Sequence, residues 1–124
     1  MLHFPPGLKI TLNGQQSCRV FCGYHSTFKK TVSPANPVGY HYYAVLPDQG
    51  GACAGGCGTS ASTLDNLTSV ASHELIEAVT DAEVGLATTN GPPLAWYDTS
   101  QGEIGDICNA QSGTIPGTNA VVQA

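Results

Sequence analysis

The chain has 124 residues, enough for one domain, and carries 9 acidic against 4 basic residues for a formal net charge of -5. Its cations, Lys9, Arg19, Lys29 and Lys30, are too few and too scattered to follow a phosphate backbone, which argues against nucleic acid as a partner. No apolar run approaches the ~20 residues of a membrane span, so no membrane insertion is expected, and a charged fraction of 10% is the reverse of a disordered composition.

Residues 1–8 are rich in proline and glycine and read as an arm. They contain no basic segment followed by an apolar core, so they are not a signal peptide. Five cysteines in so short a chain nevertheless point to an oxidising compartment. The two features are reconciled if residues 1–124 form a single domain from the C-terminal part of a longer secreted protein. The end, Ala120 to Ala124, reads as a strand cut short.

Lys9 to Leu12 predicts a short strand closed by a turn at Asn13-Gly14. Ser17 to Phe28 looks extended, with an interruption at Gly23. Lys29 to Gly39 contains Pro34 and Pro37 and reads as a connection. Tyr40 to Leu46 is the strongest strand, aromatic-rich and stopped by Pro47. A glycine-rich loop follows, Asp48 to Thr59. The cysteines at 18, 22, 53, 57 and 108 allow about 15 two-bridge arrangements with one thiol left over, and spacing does not choose among them.

From about Ser62 or Thr63 to Thr80 the chain predicts its only long helix, with Ser60, Ser62 and Thr63 as candidate N-caps. Leu64, Leu67, Ala71, Leu75 and Ala78 recur at helical spacing and form an apolar stripe, expected to face the core. Asn66, His73, Glu77 and Asp81 fall on the opposite side. Beyond the helix, Ala95 to Asp98 suits a brief strand, and Gly102 to Cys108 a compact acidic turn. The predicted fold class is α+β. A small mixed or antiparallel sheet, built around 18–28 and 40–46, packs on one long helix in a loop-rich, disulfide-stabilised domain.

Chemistry concentrates in Ser72-His73-Glu74-Leu75-Ile76-Glu77. At i and i+4, His73 and Glu77 share a helix face, so an imidazole nitrogen and a carboxylate oxygen can converge on one metal ion. The layout is the His-Glu-x-x-His zinc peptidase helix with glutamate in place of the second histidine. Glu74 is then the candidate general base. A third ligand has to come from elsewhere, from Asp106, Glu103, Asp98, His25 or His41. Asp106 is the first choice, because a short side chain in a tight turn is easily held, with Glu103 and His25 as alternates. Zinc is the expected metal, and the oxygen-rich ligand set makes calcium the alternative. Tyr97, Tyr24 or His25 suits the stabilisation of a developing oxyanion. Trp96 and Tyr97 are candidate substrate contacts, although an indole at position 96 also suits a core. The competing reading of His-Glu-x-x-Glu is a solvated helix face without metal.

Five segments in this order are similar to a known group. They are Phe21-Cys22-Gly23-Tyr24-His25-Ser26, Tyr43 to Pro47, Ser72 to Asp81, Trp96-Tyr97-Asp98 and Gly102 to Cys108. Together they resemble secreted fungal and bacterial proteins related to the plant phosphate-induced protein 1 (exordium) family, over about Cys18 to Asn109. The resemblance implies a secreted or wall-associated protein with a zincin-like helix, in which His73, Glu77 and the turn carrying Glu103 and Asp106 act together. The resulting expectation is a zinc-dependent metallopeptidase or metallopeptidase-like protein acting on a peptide or protein. The alternative is a non-catalytic extracellular structural or cell-wall module that associates with other copies of itself, with a stabilising metal or none.

Overall fold

The structure, a computed structural model, describes residues 1–30 and 39–123. The expected connection through Pro34 and Pro37 lies outside the described residues. In chain order the elements are β1 (Leu2–His3), β2 (Thr11–Leu12), β3 (Gln15–Gln16), β4 (Tyr24–Lys30), β5 (Gly39–Leu46), α1 (Thr63–Thr80), β6 (Tyr97–Asp98), β7 (Gly102–Glu103), α2 (Ile104–Ile107), β8 (Ser112–Thr114) and β9 (Val121–Gln123). This is an α+β domain of small sheets around one long helix.

The main sheet is mixed and has the order β1-β5-β4. β4 and β5 pair antiparallel, with Tyr24 opposite Val45 and Lys30 opposite Gly39. The N-terminal residues are not a free arm. β1 adds parallel to the other edge of β5, with Leu2 opposite Val45, and the Phe4 N–H continues the ladder to the Leu46 carbonyl at 2.9 Å. The last residues of β5, Ala44, Val45 and Leu46, are buried and form the centre of a small core with Cys53 and Cys57. Disulfides Cys18–Cys53 and Cys22–Cys57 each close 35 residues and tie the approach to β4 onto the glycine-rich loop. Bridges of this kind offset the thin core of a small domain by restricting the unfolded chain. Cys108 is the free thiol.

Helix α1 starts where the sequence places it. Ser62 is the N-cap, and its hydroxyl accepts the Asp65 N–H at 3.2 Å. Its facing departs from the expectation: of the expected apolar stripe, Leu64 and Leu75 are exposed and Leu67, Ala71 and Ala78 only half-buried. Leu64, Leu75 and Val79 are 66%, 56% and 69% exposed, whereas Asn66, Glu74, Glu77 and the C-cap Asp81 are buried. The inward stripe is Asn66, Val70, His73, Glu74, Glu77 and Asp81, which has the same helical period as the leucines. Polar groups can line this interface because each finds a partner. Asn66 closes two hydrogen bonds with the Ser60 backbone, at 3.1 and 2.9 Å. One carboxylate oxygen of Asp81 accepts the Ala95 N–H at 3.0 Å. No helix among the described residues is long and apolar enough to cross a membrane.

Candidate metal centre

Side chains alternate along a strand, so His25 and Thr27 share the face of β4 that looks toward α1. Thr27 is buried, and its hydroxyl donates to the Ala82 carbonyl just past the helix. His25 meets the carboxylates of α1 directly, with Nδ1 3.2 Å from Glu74 Oε2 and 3.4 Å from Glu77 Oε2. Its other nitrogen, Nε2, lies 3.3 Å from Glu103 Oε1 at the end of β7. One turn back on the helix, His73 Nε2 is 3.2 Å from Glu77 Oε1 and 3.8 Å from Asp106 Oδ1.

Glu77 is therefore the hub. One carboxylate oxygen faces His73 and the other faces His25. The Asp106 backbone N–H also donates to Glu77 Oε1, at 3.1 Å, and this bond docks α2 onto α1. Two sets of three donors converge within 4.8 Å of one another: His73, Glu77 and Asp106, and His25, Glu77 and Glu103. Every residue expected as a first-choice or alternate ligand belongs to one of the two sets. A tetrahedral zinc with bonds near 2.1 Å wants its donors about 3.4 Å apart. The 3.2 Å His73–Glu77 pair already meets that spacing, and Asp106 is a few tenths of an ångström beyond it.

The electrostatics favour a cation. Burial alone would lower the pKa of His25, but its contacts with Glu103, Glu74 and Glu77 prevail and hold it up at about 11. Burial likewise opposes protonation of His73, and Glu77 overrides it, to about 9. Glu77 resists the upward push of burial because both histidines bond its ionised form, so its pKa falls to about 2. Burial pushes the Glu103 carboxyl up, with Glu77 and Asp81 adding to the shift. Four carboxylates, Glu74, Glu77, Glu103 and Asp106, thus share at most two imidazolium charges. Even with both histidines protonated the cluster keeps an excess of negative charge. A divalent cation would displace those protons and offset that excess.

A cleft of about 490 Å³ opens onto His73, Glu74 and Asp106, and the glycine-rich loop at Gly55 to Gly58 forms its far wall. Trp96 and Tyr97 do not line it. They border a separate, shallower hollow with Ile104 and Ile107, and Trp96 is 66% exposed rather than a core residue. Asp98 is occupied by the Ser100 and Gln101 N–H groups, both at 2.9 Å. His41 stacks on Phe28 at 5.0 Å. Tyr24 packs edge-on against Phe21 and Tyr43. Neither Asp98 nor His41 belongs to either converging set.

Gln123 is the site residue that sequence reasoning missed. Its Oε1 lies 2.8 Å from His73 Nδ1, its amide nitrogen donates to the Gly105 carbonyl, and its backbone N–H donates to Ser72 Oγ at 2.7 Å. An acceptor on Nδ1 fixes the tautomer that leaves His73 Nε2 free to ligate. The only signal in the sequence was the alternation of a terminal strand, which says nothing of a distant histidine.

Two glycines make room for the carboxylates. A Cβ on Gly23 would stand 2.8 Å from Glu74 Oε1 and 3.0 Å from Val70 Cγ1. One on Gly105 would stand 2.5 Å from Glu77 Oε1 and 2.9 Å from its Cδ. Gly105→Ala should therefore push α2 off α1 and cost about 1–3 kcal/mol. Thermal melts of the metal-free protein would register this as a fall of several degrees, and an unchanged melting temperature would refute the close contact. Compared with known protein families, curated proteins and solved structures, the chain finds no match.

Proposed function

We propose that this domain is a secreted, zinc-dependent peptidase that holds its metal through His73, Glu77 and Asp106. The observation that carries the reading is the convergence of those three donors beside a cleft that Glu74 also lines. One imidazole with two carboxylates suits zinc better than calcium, which takes six to eight oxygens. The paired cysteines fit an oxidising, extracellular setting.

Zinc, when bound, polarises a scissile carbonyl and lowers the pKa of water toward neutrality. Glu74 accepts the proton from the attacking water and returns it to the leaving amine. His25, hydrogen-bonded to Glu74 Oε2 at 3.2 Å, holds that carboxylate in one orientation. Gln123 does the same for His73.

The test is cleavage of a mixed peptide pool by the purified domain. Turnover that a chelator removes and added zinc restores is expected. A zinc-loaded domain that cleaves no peptide would overturn the peptidase reading. The exposed face of α1, with Leu64, Leu75 and Val79, favours a second reading: a non-catalytic extracellular module that associates with its own copies. In that case light scattering would show a mass that falls on dilution, and Glu74 would be dispensable.

A further inference from the structure

The geometry points to a two-metal centre in which Glu77 bridges, with a second divalent ion held by His25, Glu77 and Glu103. This rests on the zinc reading above for the first ion, and on separate residues for the second. Glu77 is common to both donor sets, with Oε1 3.2 Å from His73 Nε2 and Oε2 3.4 Å from His25 Nδ1.

His25 supplies the independent sign of a ligand. Its side chain is only 4% exposed, and Nε2 is buried with no hydrogen-bond partner. The atom it faces, Glu103 Oε1, is also buried and unpartnered, although the two lie only 3.3 Å apart. The pair is close, but not aligned for a hydrogen bond. With the Nε2 proton displaced by a cation, the two atoms stand close to the about 3.4 Å separation that a shared zinc ion imposes. Orphaned groups of this kind are rare in native interiors and call for an ion or a water. The opposite nitrogen, Nδ1, sits 3.2 Å from Glu74 Oε2, and a carboxylate behind the imidazole is the usual support for a metal-bound histidine.

The two donor sets share only Glu77. His73 and Asp106 lie beside the cleft, while His25 is enclosed between β4 and α1. The cleft-side ion would meet substrate. The enclosed ion would fix Glu77 and draw β7 onto the β4–α1 layer.

Zinc per folded chain, measured by mass spectrometry after equilibration and removal of excess metal, reads the stoichiometry. Two per chain are expected in the wild type and one in each of Glu103→Gln and His73→Ala. One per chain in the wild type overturns the two-metal centre. If that single ion is lost in His73→Ala and kept in Glu103→Gln, the peptidase site stands. Two ions that Glu103→Gln leaves in place overturn the second ligand set, and none in the wild type overturns both readings. Paramagnetic resonance of the manganese-loaded wild type needs no variant. A spin-coupled pair is expected, and isolated ions at full loading overturn the bridge.

Discussion

Glu74→Gln will lower peptide hydrolysis by about 10²–10⁴-fold, the usual contribution of a general base, while leaving the bound metal in place. The amide has the shape of the carboxylate, so it can remain within α1's inward stripe against His25, where Glu74 is buried. What it loses is the ability to take a proton from water. Glu74 belongs to neither converging donor set, which is why metal content should not change. Loss of zinc together with activity would make Glu74 a ligand instead of a base. Unchanged turnover would remove it from the chemistry.

Glu77→Ala will be the most destabilising single change in the site, by roughly 3–5 kcal/mol, as when one partner of a buried ion pair is removed. It strips the partner from His73 Nε2, removes one of the contacts to His25 and leaves the Asp106 N–H without its acceptor. Glu77→Gln separates the structural from the electrostatic part. Its side-chain oxygen can still accept from Asp106, so most of the fold stability should survive. The negative charge does not, so zinc affinity should fall steeply. Denaturant melts of both variants, beside zinc titrations, read the two effects independently. Equal destabilisation by Ala and Gln would mean that charge, not the docking hydrogen bond, holds α2 to α1.

The pattern of α1 shows what a sequence conveys and what it hides. Its cap at Ser62, its end near Thr80 and the shared face of His73 and Glu77 all follow from local chemistry. Its inside and outside do not. The leucine stripe and the Asn66-to-Asp81 stripe have the same period, and apolar residues ordinarily win the interior. Here the polar stripe wins because the nearby Ser60 backbone and, from far along the chain, His25 and the Asp106 N–H supply partners for it. Nothing local encodes the two distant partners. The same limit explains Gln123, which reaches His73 across 50 residues, and the choice of Cys18–Cys53 and Cys22–Cys57 among the possible pairings. By contrast, β5 was legible because its aromatic and branched residues stop at Pro47, and the turn at Asn13-Gly14 because a tight hairpin needs positive φ at both positions. The acidic turn was placed correctly at residues 102–108, but it contains a short helix, and that helix aims the Asp106 N–H at Glu77.

Zinc content of the purified domain, wild type beside His73→Ala, tests the centre most directly. At least one zinc per wild-type chain is predicted, with one equivalent lost when His73 is replaced. A wild-type chain that retains no zinc after loading, or a His73→Ala chain that retains as much as the wild type, would contradict a metal site built on His73, Glu77 and Asp106.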